Sequence, residues 1–254
     1  MTLPPPSEHF QGKTVVEHLK EARTRGAIAS AEIHGVEMPG HFGAGADAGK
    51  ETAILLSMLL VVLPHFLTLQ KTWIVLILFS VSWIIWKTAR SALLGWSRVE
   101  RLHRVIEEER WEIEHHRQQE KAELAEMYLA KGLTGKLLDE VVEVLMADDN
   151  RLLRVMLEEE LGLTLEAYEH PLKQAFGALV GTFTSIIICL FGLWLLPPFG
   201  LFLFASLILI LCAIISAKLE RNRIRDAIIW NLATFALIIG AIYFLIPLFV
   251  RMSG

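Results

Sequence analysis

Apolar residues in this chain are gathered into long blocks rather than spaced with the period of a half-buried helix or strand. Gln174 to Ala217 is 44 consecutive residues without Asp, Glu, Lys or Arg, and Ala227 to Val250 is another 24. About 20 such residues cross a hydrocarbon core of about 30 Å. The blocks therefore predict membrane-spanning helices and exclude a water-soluble globular enzyme. Five spans are expected. The first runs from about Thr52 to Gln70, with Pro64 and His65 inside it, and Lys71-Thr72 makes a minimal turn. Trp73 begins the second, which is charge-free to Trp86 and continues past Lys87 and Arg90, whose long stems are expected to snorkel to the interface. The third is about 174–196, Pro197 to Gly200 is a turn, the fourth is about 201–217 and the fifth 227–250.

Polar stretches separate these blocks. Residues 1–13 are Pro-rich and show neither the basic nor the apolar part of a signal peptide. Thr14 to Ile33 reads as an amphipathic helix with a basic middle, expected to lie on the membrane surface. Gly35 to Gly49 holds six glycines and a proline, which predicts a loop. Residues 98–173 form a polar insert between spans two and three with helical composition. Val99 to Met127 lacks Pro and Gly, Leu137 to Met146 makes a second helix, and Asn150 caps a third from Arg151 to Glu160. Gly162 suits the left-handed position that ends it. The fold class expected is an all-α integral membrane protein with five transmembrane helices and a cytoplasmic three-helix insert. Its divisions are 1–51, 52–97, 98–173 and 174–254.

Charge is as uneven as hydropathy. The insert carries 19 acids and 11 bases, a net of −8, within a chain whose net charge is −4. Such a domain repels phosphate, so nucleic acid is not an expected partner and cations are. Basic residues cluster before span one (Lys13, Lys20, Arg23, Arg25, Lys50), after span two (Arg98, Arg101, Arg104) and after span four (Lys218, Arg221, Arg223, Arg225). The positive-inside rule then places the N-terminus and the insert in the cytoplasm and the C-terminus outside. The two cysteines, Cys189 and Cys212, lie inside apolar blocks and form no metal knuckle.

Within the insert, Glu109, Glu112, His116, Glu120 and Glu123 are spaced 3, 4, 4 and 3. On a continuous helix they share one face. Carboxylates about 5–6 Å apart repel by roughly 3 kcal/mol at an effective dielectric of 20, so this face invites a compensating cation. Oxygen ligands with an imidazole suit Fe²⁺, Mn²⁺, Mg²⁺ or Ca²⁺ better than a thiolate-selected metal. The competing reading is a solvated helix face, with Arg104, Arg110, Arg117 and Lys121 as i,i+4 partners. Met156 and Glu160 repeat the i,i+4 spacing. Glu112-Ile-Glu-His115 is a lone ExxH without the second that a di-iron site needs. His34 and His41 are candidates for a metal relay or plain loop histidines. No Walker A, GxSxG or HExxH motif is present, and no catalytic residue is expected.

At these residues the insert resembles the vacuolar iron transporter/CCC1 family of iron and manganese exporters. The likeness is densest over Glu120-Lys-Ala-Glu-Leu-Ala-Glu-Met-Tyr-Leu-Ala-Lys-Gly-Leu133 and continues through Val144-Leu-Met-Ala-Asp148 and Val155-Met-Leu-Glu-Glu-Glu-Leu-Gly-Leu163. It covers about residues 90–250. The resemblance implies a cytoplasmic domain that binds divalent metal through Glu109, Glu112, Glu120, Glu123, Met156 and Glu160, with His116 as an additional candidate. It also implies a homodimer holding metal between two such domains. Leu157 stands where the family has a second Met.

The N-terminal third departs from that family, whose first two spans carry acidic residues along the ion path. Here no carboxylate occurs between Thr52 and Trp96. The candidates for a path are Asp47, Glu51, Met58 and His65, the last three spaced by seven so as to keep to one helical stripe with about 20° of drift per step. The expected function is export of Fe²⁺ or Mn²⁺ from the cytoplasm in exchange for protons, across a bacterial inner or vacuole-type membrane, with no tightly bound cofactor. The alternative is a non-transporting relative that binds or senses metal and uses its membrane part as a dimerising anchor.

Overall fold

A computed structural model of the chain describes residues 14–30, 40–163 and 170–253. Every regular element among them is helical. In chain order they are α1 (Val15–Ser30), α2 (His41–Val62) with a 3₁₀ turn (Leu63–His65), α3 (Leu69–His115), α4 (Arg117–Ala130), α5 (Lys136–Met146), α6 (Asp149–Val155) running into a π-helical turn (Met156–Glu160), α7 (Pro171–Leu195), α8 (Phe199–Leu219) and α9 (Ile224–Ser253). The chain divides into two compact units. One comprises residues 1–34 and 96–168, the other 35–95 and 169–254.

The second unit is the apolar one. Four helices are long and apolar enough to cross a membrane: α3, α7, α8 and α9. Their exposed residues are large hydrophobics such as Leu78, Ile85, Phe183, Leu203, Leu237 and Phe244, the surface that lipid rather than water would solvate. The chain is a multi-pass membrane protein. A fifth helix, α2, differs from these four in carrying Asp47, Lys50 and Glu51. It is nonetheless packed against α7, α8 and α9, and it joins the unit's core through Ala53, Leu56 and Leu60 beside Ile186, Cys189, Leu193, Leu201 and Leu209.

Small residues allow this close packing. A Cβ added at Gly177 would stand 2.0 Å from the His41 carbonyl oxygen, and one at Gly181 would stand 2.0 Å from that of Gly45. Only glycine lets the α2 and α7 backbones approach so closely. This explains a correction to the sequence reading. The glycines between His41 and Gly49 are not a loop but the start of a helix, whose missing side chains make room for α7. Residues 35–39, with Glu37, and His34 lie outside the described residues.

Other boundaries shift for local reasons. Helix α2 ends at Val62 and gives way to a 3₁₀ turn with Pro64 near its start, because proline removes a backbone donor. The bend before α3 falls at 66–68, so Lys71 and Thr72 are helical rather than a turn. Lys87 does not snorkel outward: it is 1% exposed.

The first unit has its own core, made by Leu19, Leu102, Ile113, Leu124, Met127, Val142, Leu152, Met156, Leu157 and Leu163. Helix α1 belongs to it, packing on α4 and on the π turn. Its start is fixed by a capping box. The Thr14 N–H donates to Glu17 Oε2 at 3.0 Å, and the Glu17 N–H donates to Thr14 Oγ1 at 3.3 Å. Leu19 and Ala22 are buried, so the apolar face expected to rest on a membrane surface is spent in the protein interior instead. Asp148, not Asn150, caps α6, accepting from the Arg151 N–H at 2.8 Å. Gly132 closes α4 at φ 94, and Gly162 sits at φ 67 as its place in the sequence predicts.

Candidate metal centre

The expected single acidic face does not exist as one continuous helix. The chain breaks at His116, whose φ of −124 and ψ of 34 leave the helical region. No proline or glycine causes this break. Arg117, the next residue, is drawn away by two contacts, its Nη1 donating to Asp149 Oδ1 and its Nη2 to the Met146 carbonyl, both at 2.6 Å. The consequence for the carboxylates is large. On a straight helix Glu109 and Glu120 would be about 16 Å apart at 1.5 Å per residue. Across the break, one carboxylate oxygen from each lies within 4.8 Å of the other and of one from Glu160.

Glu160 comes from the π turn. There the Leu161 N–H donates to the Met156 carbonyl at 3.2 Å, five residues back, the wide pitch that often marks functional segments. Glu109, Glu120, Glu123 and Glu160 are all buried, at 4%, 1%, 0% and 2% exposure. Glu112 is half-buried and lines a small recess with Val105, Glu108, Glu109 and Leu161. Met156 is fully buried in the adjoining core.

Burial of so many carboxyl groups has an electrostatic signature. The Glu120 carboxyl is pushed up to about 11, first by desolvation and then by Glu109, Glu123, Glu160 and Glu112. In the absence of a cation this cluster must hold protons at neutral pH. A divalent ion would take their place and compensate the charge.

A second group of three shares Glu160. His18 of α1, Glu123 and Glu160 each present a ligand atom, all mutually within 4.8 Å and all buried. Sequence reasoning missed His18. The available signal was its position on the face that also carries Val15, Leu19 and Ala22, where a polar residue is out of place. His116 is half-buried with its ring 5.4 Å from that of Trp111. It belongs to neither three-residue group found among the described residues. His115 is exposed and stacked on Trp111 at 4.5 Å, so the ExxH spacing has no counterpart in a ligand pair.

The candidates for a membrane path separate into two kinds. Asp47 is buried, with its Oδ1 2.6 Å from the Lys50 ammonium, and Lys50 also donates to Ser216 Oγ at 3.2 Å. Glu51 Oε2 lies 2.9 Å from the ammonium of Lys87. Met58 is half-buried, whereas His65 is exposed in the 3₁₀ turn, where its Nδ1 lies 3.0 Å from the Val61 carbonyl oxygen. The stripe expected from Glu51 through Met58 to His65 therefore stops with α2.

With this arrangement in view, comparison with known families is informative. The VIT family model matches residues 96–250, more than half of the chain. The chain belongs to the VIT family. No curated protein matches it. VIT proteins are membrane transporters of metal ions rather than enzymes. The match takes in Glu109, Glu112, Glu120, Glu123, Met156 and Glu160. It leaves out His18, Asp47, Glu51, Met58 and His65.

Proposed function

We propose that this VIT-family chain exports Fe²⁺ or Mn²⁺ from the cytoplasm in exchange for protons, with the buried Glu cluster capturing the metal. The observation that carries the reading is the meeting of Glu109, Glu120 and Glu160 oxygens within 4.8 Å in a buried setting. Three acids so placed are costly to bury unless protons or a cation neutralise them. Glu112, Glu123 and Met156 complete the proposed ligand set. In this reading α2 is a fifth span, the N-terminus and the cluster face the cytoplasm, and two chains associate as a homodimer. Asp47 supports the transport step, being a carboxylate buried in a helix packed among membrane-spanning ones.

A second reading, a metal-binding relative with a membrane anchor and no transport, draws on one observation. Both α2 carboxylates already have a built-in cation, Lys50 and Lys87. Purified protein in liposomes decides between the two. The transport reading expects Fe²⁺ or Mn²⁺ uptake driven by a pH gradient and abolished in Glu109→Ala/Glu120→Ala/Glu160→Ala. Metal binding without flux leaves the anchor reading standing.

A further inference from the structure

Helix α1 brings one residue to the acidic cluster whose chemistry differs from all the others. His18 is 6% exposed, and its Nε2 lies 3.9 Å from Glu123 Oε1 and 4.0 Å from Glu160 Oε1. Those separations are too long for direct hydrogen bonds between the named atoms. They are the right size for an ion between them. Metal–nitrogen and metal–oxygen bonds of about 2.1 Å let two ligand atoms share one ion when they are no more than about 4.2 Å apart. Both pairs meet that limit without any movement of the backbone.

The placement of His18 is also well determined. The capping box at Thr14 and Glu17 sets the start of α1, and Leu19 and Ala22 anchor the same face in the core. His18 lies among them, so its side chain is carried inward with the apolar residues. A histidine held there merely for packing would be an expensive choice, since a leucine would fill the same stripe without a ring nitrogen to satisfy.

We propose that His18 is a metal ligand, supplied by the N-terminal helix and completing a nitrogen-and-oxygen subsite with Glu123 and Glu160. The inference rests on the reading of the Glu cluster as a metal centre and adds its selectivity. An imidazole favours Fe²⁺, Mn²⁺, Co²⁺ and Zn²⁺ over the hard ions Mg²⁺ and Ca²⁺, which prefer oxygen alone. Helix α1 is then a clasp across a site that the acidic helices alone would leave open to any divalent cation.

The test uses the full chain in detergent with Mn²⁺ as the probe, read by pulsed electron paramagnetic resonance for nitrogen-14 coupling at the bound ion. Coupling is expected in the wild type and absent in both His18→Ala and His18→Phe. Mn²⁺ affinity should fall about tenfold or more in each variant, with Mg²⁺ affinity changed far less. Amide hydrogen exchange over Val15 to Ala22 shows whether α1 stays docked, and His18→Phe, which keeps a ring in place, decides if His18→Ala releases it. Nitrogen coupling that survives in His18→Phe overturns the proposal. So does its absence from a wild type whose Mn²⁺ binding is lost in Glu120→Gln, and in that case the Glu cluster stands as the metal centre. Equal Mn²⁺ binding by wild type and Glu120→Gln removes the metal centre itself, and the role of His18 with it.

Discussion

The ammonium of Lys87 on α3 faces the carboxylate of Glu51 on α2 at 2.9 Å, and Lys87 is almost wholly enclosed while Glu51 keeps 42% of its side chain exposed. The two ends of this pair are therefore unequal. Removing the carboxylate strands an enclosed cation, whereas removing the cation leaves a carboxylate with access to the outside. Glu51→Gln should destabilise the protein by about 2–4 kcal/mol, and Lys87→Met by clearly less. The double variant should recover much of the loss. Thermal unfolding in detergent measures all three, and equal losses in the two single variants would contradict the asymmetry.

Metal binding should depend on the enclosed carboxylates and not on acidity in general. Glu120→Gln and Glu160→Gln are each expected to weaken Mn²⁺ binding about tenfold or more, from the loss of a ligand oxygen. Glu143→Gln, an exposed acid on α5, should leave it unchanged. Titration calorimetry on the full chain in detergent compares the three.

With metal removed by a chelator, the same cluster should make stability depend on pH in an unusual direction. The folded protein holds the Glu120 proton up to about 11, while the unfolded chain releases it near 4.5. The stabilising difference is fully present below about 4.5 and is lost progressively as pH climbs toward about 11. The metal-free wild type should therefore melt at a lower temperature at pH 8 than at pH 5.5. Glu120→Gln should flatten that slope. A wild-type slope no steeper than that of the variant would count against an enclosed, protonated Glu120.

Two glycine substitutions should behave oppositely. Gly177→Ala sets a methyl group against the His41 carbonyl and is expected to cost about 3 kcal/mol or more. Gly240→Ala on α9 meets nothing within 4 Å and should stabilise by about 0.5–1 kcal/mol through helix propensity. Melting curves of the two variants check the pair.

Much of this arrangement was legible in the chain because the membrane imposes a coarse rule. Long charge-free blocks located α7, α8 and α9 to within a few residues, and Gly162 announced a helix end. What escaped reading depended on neighbours far away in sequence. The glycines at 43, 45 and 49 look like a loop until Gly177 and Gly181 on α7 supply a backbone to nestle against. The break at His116 has no local signal, because Arg117 is pulled by Asp149 and the Met146 carbonyl some thirty residues on. The acidic residues themselves were identifiable by type and spacing. Their convergence was not, since it depends on that break and on the π turn. His18 stayed hidden for a related reason: α1 was assigned to the membrane surface, and a histidine on a surface helix attracts no notice.

The π turn at Met156–Glu160 has a consequence for how this segment tolerates change in length. A wide turn of this kind contains one residue more than an α-helix would use to cover the same rise. Deleting one of the exposed or half-exposed positions within it, Glu158 or Glu159, would let the segment relax to ordinary pitch, rotating everything beyond by about 100° relative to what precedes it. Glu160 would then swing away from Glu109 and Glu120, and Leu161 and Leu163 would leave the core, though not one of them had been replaced. At this point the number of residues is as much a determinant of the acidic cluster as their identity.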